Sequence, residues 1–268
     1  MVYGLPLMPA GFSFWIVNLS DRYFLQVFTT TSEVGLYQVG TAIAAVAVLG
    51  SKAFQQAFTP FFLSIYRDAG AKTVFADVFL AYAWGSCVLS AGLSLFAPEA
   101  LRLLATHEYA GAASVVGILS LAAMGAGLRY VASVGLSAEK ANWPITAATV
   151  GGAVASACLN LILVPTMGRT GAAISALLTH LLVCAYLFRE GQKRYRVPYR
   201  YGPALACLAL ALAVMAAGTA LPGLGFWTGI LFKAALLASF IPALFLFKIL
   251  SDDQGARLAK TIRVRFRL

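Results

Sequence analysis

Long apolar stretches follow one another along almost the whole chain, and only short polar breaks separate them. A helix that crosses a bilayer needs about 20 apolar residues, because the hydrocarbon core is about 30 Å thick. With 60% hydrophobic and 11% charged residues, a soluble fold could not hide so much apolar surface. We therefore expect an all-α, polytopic transmembrane bundle of about eight spans. The predicted spans lie near Gly4–Phe28, Gly35–Ile65, Thr73–Ala97, Ala112–Ser137, Pro144–Pro165, Gly171–Phe188, Pro203–Leu221 and Phe226–Leu250.

The net charge of +10 comes from basic residues that cluster in alternate polar breaks and in the C-terminal tail. Loops rich in Lys and Arg stay in the cytoplasm, so this asymmetry predicts that both termini are cytoplasmic. It also explains the positive charge without nucleic acid. The pattern divides the chain into a six-helix bundle (1–188), a basic cytoplasmic loop (189–202), two additional C-terminal helices (203–250) and a basic cytoplasmic tail (251–268).

The sequence offers little for catalysis. Asp252 and Asp253 form the only adjacent carboxylate pair, and nothing beside them would complete a metal site. His107 and Glu108 fall in a short external connection, and the four cysteines lie inside apolar runs without the spacing of metal ligands. We therefore expect no catalytic residues, no metal and no cofactor, and a protein that is not an enzyme.

The second predicted span carries the sharpest functional signal, a lysine about midway along a long apolar helix. An intramembrane charge is costly, and Lys52 is too far from either interface to reach it easily. Helical spacing places Lys52 on one broad face with other polar residues, namely Gln38, Thr41, Gln55, Gln56 and Thr59. This stripe indicates either a water-filled cavity, which we favour, or a polar seam between helices.

A second polar group lies toward the external end of the first span. Asn18, Asp21 and Arg22 follow the i, i+3, i+4 spacing of one helix face. Asp21 and Arg22 could neutralise part of each other's charge. The group fits an interfacial structural pair and a substrate contact equally well.

Three further polar residues within spans rank lower. Arg129 lies about two turns from the cytoplasmic end of its span, within snorkelling reach, so we favour a structural role over a cavity role. Lys233 lies near a span end, and we expect Lys233→Ala to have almost no effect on export by a complete transporter. His180 is at mid-span, where a lone histidine is more often packed and hydrogen-bonded than functional.

Several segments resemble the polysaccharide-type flippases of the multidrug/oligosaccharidyl-lipid/polysaccharide exporter superfamily. Leu159–Ala173, reading LNLILVPTMGRTGAA, is similar to that family's Asn-Leu…Pro-x-x-Gly-x-x-Gly-Ala-Ala signature. The opening from Gly4 to Leu25 resembles the first helix of the family's second half. GLYQVG from Gly35, AFQQAFTPF from Ala53 and the Glu108-Tyr109-Ala110 loop continue the match.

The resemblance implies the second bundle of a MATE-like flippase fold plus two C-terminal helices, in the bacterial inner membrane. It also implies a missing N-terminal bundle or a second copy, so the chain would be a fragment, a truncated product or one part of a split transporter. The complete protein would carry an undecaprenyl-pyrophosphate-linked oligosaccharide by alternating access, with Lys52 receiving anionic groups. Relatives often use ion gradients, for which Asp21 is a candidate. The alternatives are a multidrug-type cation-coupled antiporter and a non-transporting scaffold of a polysaccharide biosynthesis complex.

Overall fold

All the elements that the structure describes are helices. The structure is a computed structural model and describes residues 20–68, 70–139, 141–219 and 226–246. A short 3-10 helix, His107–Ala112, precedes the fourth α-helix. We number the α-helices in chain order: α1 (residues 20–28), α2 (Thr31–Ile65), α3 (Ala71–Leu104), α4 (Ala113–Ala132), α5 (Val134–Ala138), α6 (Asn142–Arg194), α7 (Tyr201–Thr219), α8 (Phe226–Ala238) and α9 (Phe240–Leu246).

Several of these helices are long and apolar enough to cross a membrane. The expectation of an all-α, membrane-embedded bundle is therefore confirmed for the described residues. The count of about eight spans and the MATE-like arrangement stay predictions, since parts of the first and last predicted spans lie outside the described residues. The helical runs that qualify by length and composition are Thr31–Ile65, Ala71–Leu104, His107–Ala138, Asn142–Arg194 and Tyr201–Thr219.

Helix α6 consists of two arms that fold back on each other at Gly168. This glycine has φ 53° and ψ −132°, a conformation that L side chains rarely adopt. The Ser175 hydroxyl donates to the carbonyl of Ser156 at 3.4 Å, and farther from the reversal a Cβ added to Gly152 would lie 2.7 Å from Val183, so the arms run antiparallel. Pro165 precedes the reversal, so the two arms, residues 142–167 and 169–194, correspond to the separate spans predicted as Pro144–Pro165 and Gly171–Phe188.

Other helix bounds differ from the prediction by a turn or more. Helix α3 continues past Ala97 to Leu104 although Pro98 lies inside it. The predicted span Ala112–Ser137 is divided by a turn at Ser133 into α4 and α5. Helix α6 continues to Arg194, so only residues 195–200 of the predicted basic loop 189–202 connect helices α6 and α7. Hydropathy marks the apolar part of a helix, whereas polar helical turns extend beyond it.

Helix α4 lies at the centre of the bundle and packs against α2, α3 and α6. Small residues allow these close approaches, as is usual in membrane bundles. A Cβ added to Gly40 of α2 would lie 2.6 Å from Val115 of α4. A Cβ added to Gly127 of α4 would lie 1.9 Å from the Tyr82 hydroxyl of α3. Helices α7 and α8 pack on the outer side of α3.

The two ends of the bundle differ in composition. At one end the α2–α3 connection meets residues 195–200: the Tyr195 hydroxyl donates to the carbonyl of Tyr66 at 3.1 Å, and the Lys72 ammonium lies 5.0 Å from the Tyr195 ring centroid. We call this the basic end, because it also carries Arg67, Arg189, Lys193, Arg194, Arg196 and Arg200. At the opposite end, the Thr30 side chain caps α2 by accepting from the backbone N–H of Glu33 at 3.4 Å.

Candidate functional site

A cavity of about 420 Å³ lies between helices α2, α4 and α6. Helix α2 contributes Lys52 and Gln55, and the last turns of α4 contribute Arg129. The two arms of α6 contribute a second group of polar side chains from residues that are distant in sequence. This group consists of Thr149, Thr179 and His180. Two cations and several hydrogen-bonding groups therefore converge on one space among apolar helices.

The two cations are held differently. Lys52 is exposed in the described bundle and makes no hydrogen bond or ion pair with another described residue. Arg129 is half-buried, and its Nε donates to the carbonyl of Ala126 at 3.4 Å, one turn earlier in α4. Most of the hydrogen-bonding capacity of both groups thus remains available to a ligand or to water.

Beside Lys52, hydrogen bonds between three helices fix one wall of the cavity. The Ser51 hydroxyl donates to the carbonyl of Ala123 at 2.8 Å, and the Tyr82 hydroxyl donates to the carbonyl of Met124 at 2.9 Å. The two hydroxyl oxygens are 3.2 Å apart. Gly127 leaves the space that the Tyr82 hydroxyl occupies. This arrangement holds α2 in a fixed rotation against α4, which keeps Lys52 at the cavity.

The opposite wall holds a polar atom that has no hydrogen-bond partner among the described residues. Thr179 is 1% exposed and its hydroxyl makes no hydrogen bond with any described residue. A buried hydroxyl without a partner costs free energy. A ligand atom that hydrogen-bonds to Thr179 from the cavity would therefore contribute more to binding than one that only replaces an existing hydrogen bond. His180, the next residue, lines the same cavity.

Some of the predicted site residues meet at this cavity and others do not. Lys52, Gln55 and Arg129 line it. Gln38 and Gln56 are exposed elsewhere on α2, and the Thr41 hydroxyl donates to the carbonyl of Tyr37 at 2.8 Å. Asn18 lies outside the described residues, and Asp21 and Arg22 do not line the cavity. The cavity role of the lining residues stays a prediction.

Asp21 lies instead in a buried polar network between α1, α2 and α6. Its carboxylate accepts from the Tyr37 hydroxyl at 2.9 Å and from the Asn160 side-chain amide at 2.8 Å. The hydroxyls of Ser20 and Ser156 lie 3.2 Å apart beside this pair. Arg22 is exposed and forms no ion pair with a described residue. The Arg22 charge acts on Asp21 without direct contact, and two hydrogen bonds from other helices hold the carboxylate.

Lys233 also has a partner that its position in the sequence did not reveal. Its ammonium forms an ion pair at 2.5 Å with Glu99 of α3, and both side chains are mostly buried. The second carboxylate oxygen of Glu99 is buried without a hydrogen-bond partner among the described residues. This pair joins α8 to the bundle, so we expect Lys233→Ala to lower the stability of the chain. The expected lack of effect of Lys233→Ala on export stays a prediction.

The side chains around the cavity define what it can do chemically. Within the described residues no three His, Cys, Asp or Glu side chains come together as a metal site would require. The cavity offers an ammonium, a guanidinium, an amide and hydroxyls. Such donors bind phosphate and sugar oxygens.

Comparisons with protein-family models, with curated proteins and with solved structures found no match to this chain.

Proposed function

We propose that the chain is part of a membrane transporter that translocates an undecaprenyl-pyrophosphate-linked oligosaccharide across the bacterial cytoplasmic membrane by alternating access, without covalent chemistry. The observation that carries this proposal is the convergence of Lys52 and Arg129 on one cavity between long apolar helices. Intramembrane cations are costly unless water or an anion meets them, and a pyrophosphate carries the complementary charge.

The volume of the cavity supports a role for additional protein. At about 420 Å³ it lies within the usual range for one small ligand, but a diphosphate with several sugars is larger. Helix α2 also exposes Gln38, Lys52 and Gln56, which fall within roughly 40° of its circumference. Facing lipid, this polar stripe would be unfavourable, so we propose that a second bundle or a second copy covers it and completes the cavity.

A second candidate within transport is a multidrug-type cation-coupled antiporter. The observation that favours it is the Asp21 network, a buried carboxylate that could respond to a coupling cation. Neither feature supports the scaffold alternative, because helices that only bind an enzyme need no cations around a cavity between them.

Complementation tests the proposal. The full chain is expressed in a bacterial strain that lacks its polysaccharide flippase, alone and together with a matching N-terminal bundle, and surface polysaccharide is measured. We expect the chain alone to insert without restoring polysaccharide, and the pair to restore it. Restoration by the chain alone would indicate a homodimer. Drug resistance without restored polysaccharide would indicate the antiporter, and neither effect from the pair would contradict a transport role.

A further inference from the structure

A second group of basic residues lies at the basic end of the bundle, away from the cavity that Lys52 lines. Helix α6 ends at Arg194 and α7 begins at Tyr201, and beside residues 195–200, which connect them, lies a depression of about 670 Å³. Its lining includes three cationic side chains, Arg189, Lys193 and Arg196. We propose that this depression binds the phosphate of an anionic phospholipid headgroup.

The charges that face the depression are only partly neutralised. Glu190 pairs with Lys193 at 2.5 Å, and with Arg194 at 3.4 Å. Arg189 and Arg196 make no ion pair or hydrogen bond with any other residue in the part of the chain that the structure describes. Two guanidinium groups therefore flank one depression without an anionic partner from the described part of the chain. A guanidinium presents paired N–H donors that match the oxygens of a phosphate.

The backbone beneath these cations is held in place by side chains. The Gln192 amide donates to the carbonyl of Val197 at 2.7 Å, and its oxygen accepts from the backbone N–H of Val197 at 2.9 Å. The Tyr199 hydroxyl donates to the carbonyl of Val131 in α4 at 3.1 Å. Burial raises the pKa of Tyr199, so this hydroxyl remains a donor at neutral pH. The backbone that follows Arg196 is therefore held in place before any ligand binds.

The position of the depression at the helix ends favours a lipid over other phosphates. The depression lies between the end of one apolar helix and the start of the next, where lipid headgroups meet a spanning helix. Tyr201, which also lines it, belongs to the residue types that concentrate at that interface. The site is separate from the cavity of Lys52, so its function does not depend on what that cavity transports.

The test is a lipid titration of the purified full chain in neutral detergent, followed by native mass spectrometry. Dioleoyl-phosphatidylglycerol should bind at least about tenfold more tightly than dioleoyl-phosphatidylcholine, because only the former carries a net negative charge. Arg189→Gln/Arg196→Gln should weaken the binding of phosphatidylglycerol about thirtyfold, the factor for two cationic contacts with an anionic lipid. Arg67→Gln, an exposed arginine at the same end but outside the depression, should stay within about twofold of the unsubstituted chain, because no contact with the lipid is lost.

Each departure from this pattern overturns the proposal. An equal loss in Arg67→Gln would show diffuse surface charge in place of a site, and equal binding of the two lipids would show no headgroup recognition. Inorganic phosphate that binds as tightly as phosphatidylglycerol would assign the site to the free ion. If the double variant does not fold, Arg196→Gln alone decides: it lies outside the helices and should cost about fivefold, and unchanged binding would refute the proposal.

Discussion

Glu33, in the first turn of α2, forms an ion pair with Arg169, the residue that follows the reversal at Gly168. Its second carboxylate oxygen accepts from the backbone N–H of Arg169 at 3.2 Å. The Arg169 Nε also donates to the Ser114 hydroxyl of α4 at 3.4 Å. One pair of side chains thus connects three helices at the end of the bundle opposite the basic end, and stabilises the reversal that separates the two arms of α6.

This pair predicts that Glu33→Gln destabilises the bundle. The substitution removes the charge that satisfies a half-buried guanidinium and weakens the contact with the backbone, which should cost about 1–2 kcal/mol. Thermal unfolding of the purified chain in detergent measures the effect. Glu108→Gln, at an exposed carboxylate of the same end, is the control and should leave the midpoint unchanged. Equal midpoints for the two variants would show that the ion pair contributes nothing.

Gly168→Ala should destabilise the chain, because the reversal of α6 requires a positive φ at this position. At φ 53° and ψ −132° an alanine is strained, and its Cβ would lie 3.0 Å from a carboxylate oxygen of Glu33. The expected cost is about 1–3 kcal/mol. Gly151→Ala is the matched control: no described atom lies within 4 Å of its added Cβ, so better helix propensity should make it neutral or slightly stabilising. The same unfolding measurement compares the two, and an unaffected Gly168→Ala would refute the strained reversal.

The features that the sequence predicts well are those that local patterns encode. Apolar length gives the positions of α2, α3 and α7, and the Pro165–Gly168 spacing marks the division of α6. Lys52 could be singled out as a residue that lines a cavity, because a lysine is conspicuous in an apolar run. Each of these signals is contained within one helix, so it can be read without knowledge of which helices are neighbours.

Features that depend on contacts between distant segments could not be predicted. Asp21 has Arg22 beside it in sequence, but its hydrogen bonds come from Tyr37 and Asn160 of other helices. Thr179 gave no sequence signal, because threonine is common in transmembrane helices. The way the arms of α6 fold back determines which residues surround Thr179, and only the assembled bundle shows this.

The contact between α8 and α3 predicts a clear effect at Lys233. Lys233→Ala should lower the unfolding midpoint because it leaves the Glu99 carboxylate mostly buried and unpaired, at a cost of about 3 kcal/mol. Lys233→Ala/Glu99→Gln should recover much of that loss, since no unpaired charge remains. Arg102→Ala, at an exposed cation of α3 that forms no hydrogen bond or ion pair with a described residue, serves as the control and should change little. A double variant that is no more stable than Lys233→Ala would contradict the pairing.

The shared location of the basic residues predicts which side of the membrane each end faces. We expect Arg196→Cys to be protected from a membrane-impermeant thiol reagent in intact cells, and Arg102→Cys, in the last turn of α3, to be labelled. Each new cysteine is introduced into a chain whose four native cysteines have been replaced, so that only the introduced thiol can react. Labelling of Arg196→Cys from outside would reverse the orientation of the whole bundle.

The most direct test of the transport proposal is polysaccharide export by Lys52 variants of the complete, two-bundle transporter. Lys52→Ala should insert at normal levels and lose export about tenfold or more, the factor for one charge-assisted contact. Lys52→Arg should keep a substantial part because the charge survives, and Arg67→Ala, outside the cavity, should export normally. Undiminished export by Lys52→Ala at comparable expression would contradict the account and leave the polar stripe of α2 with a packing role.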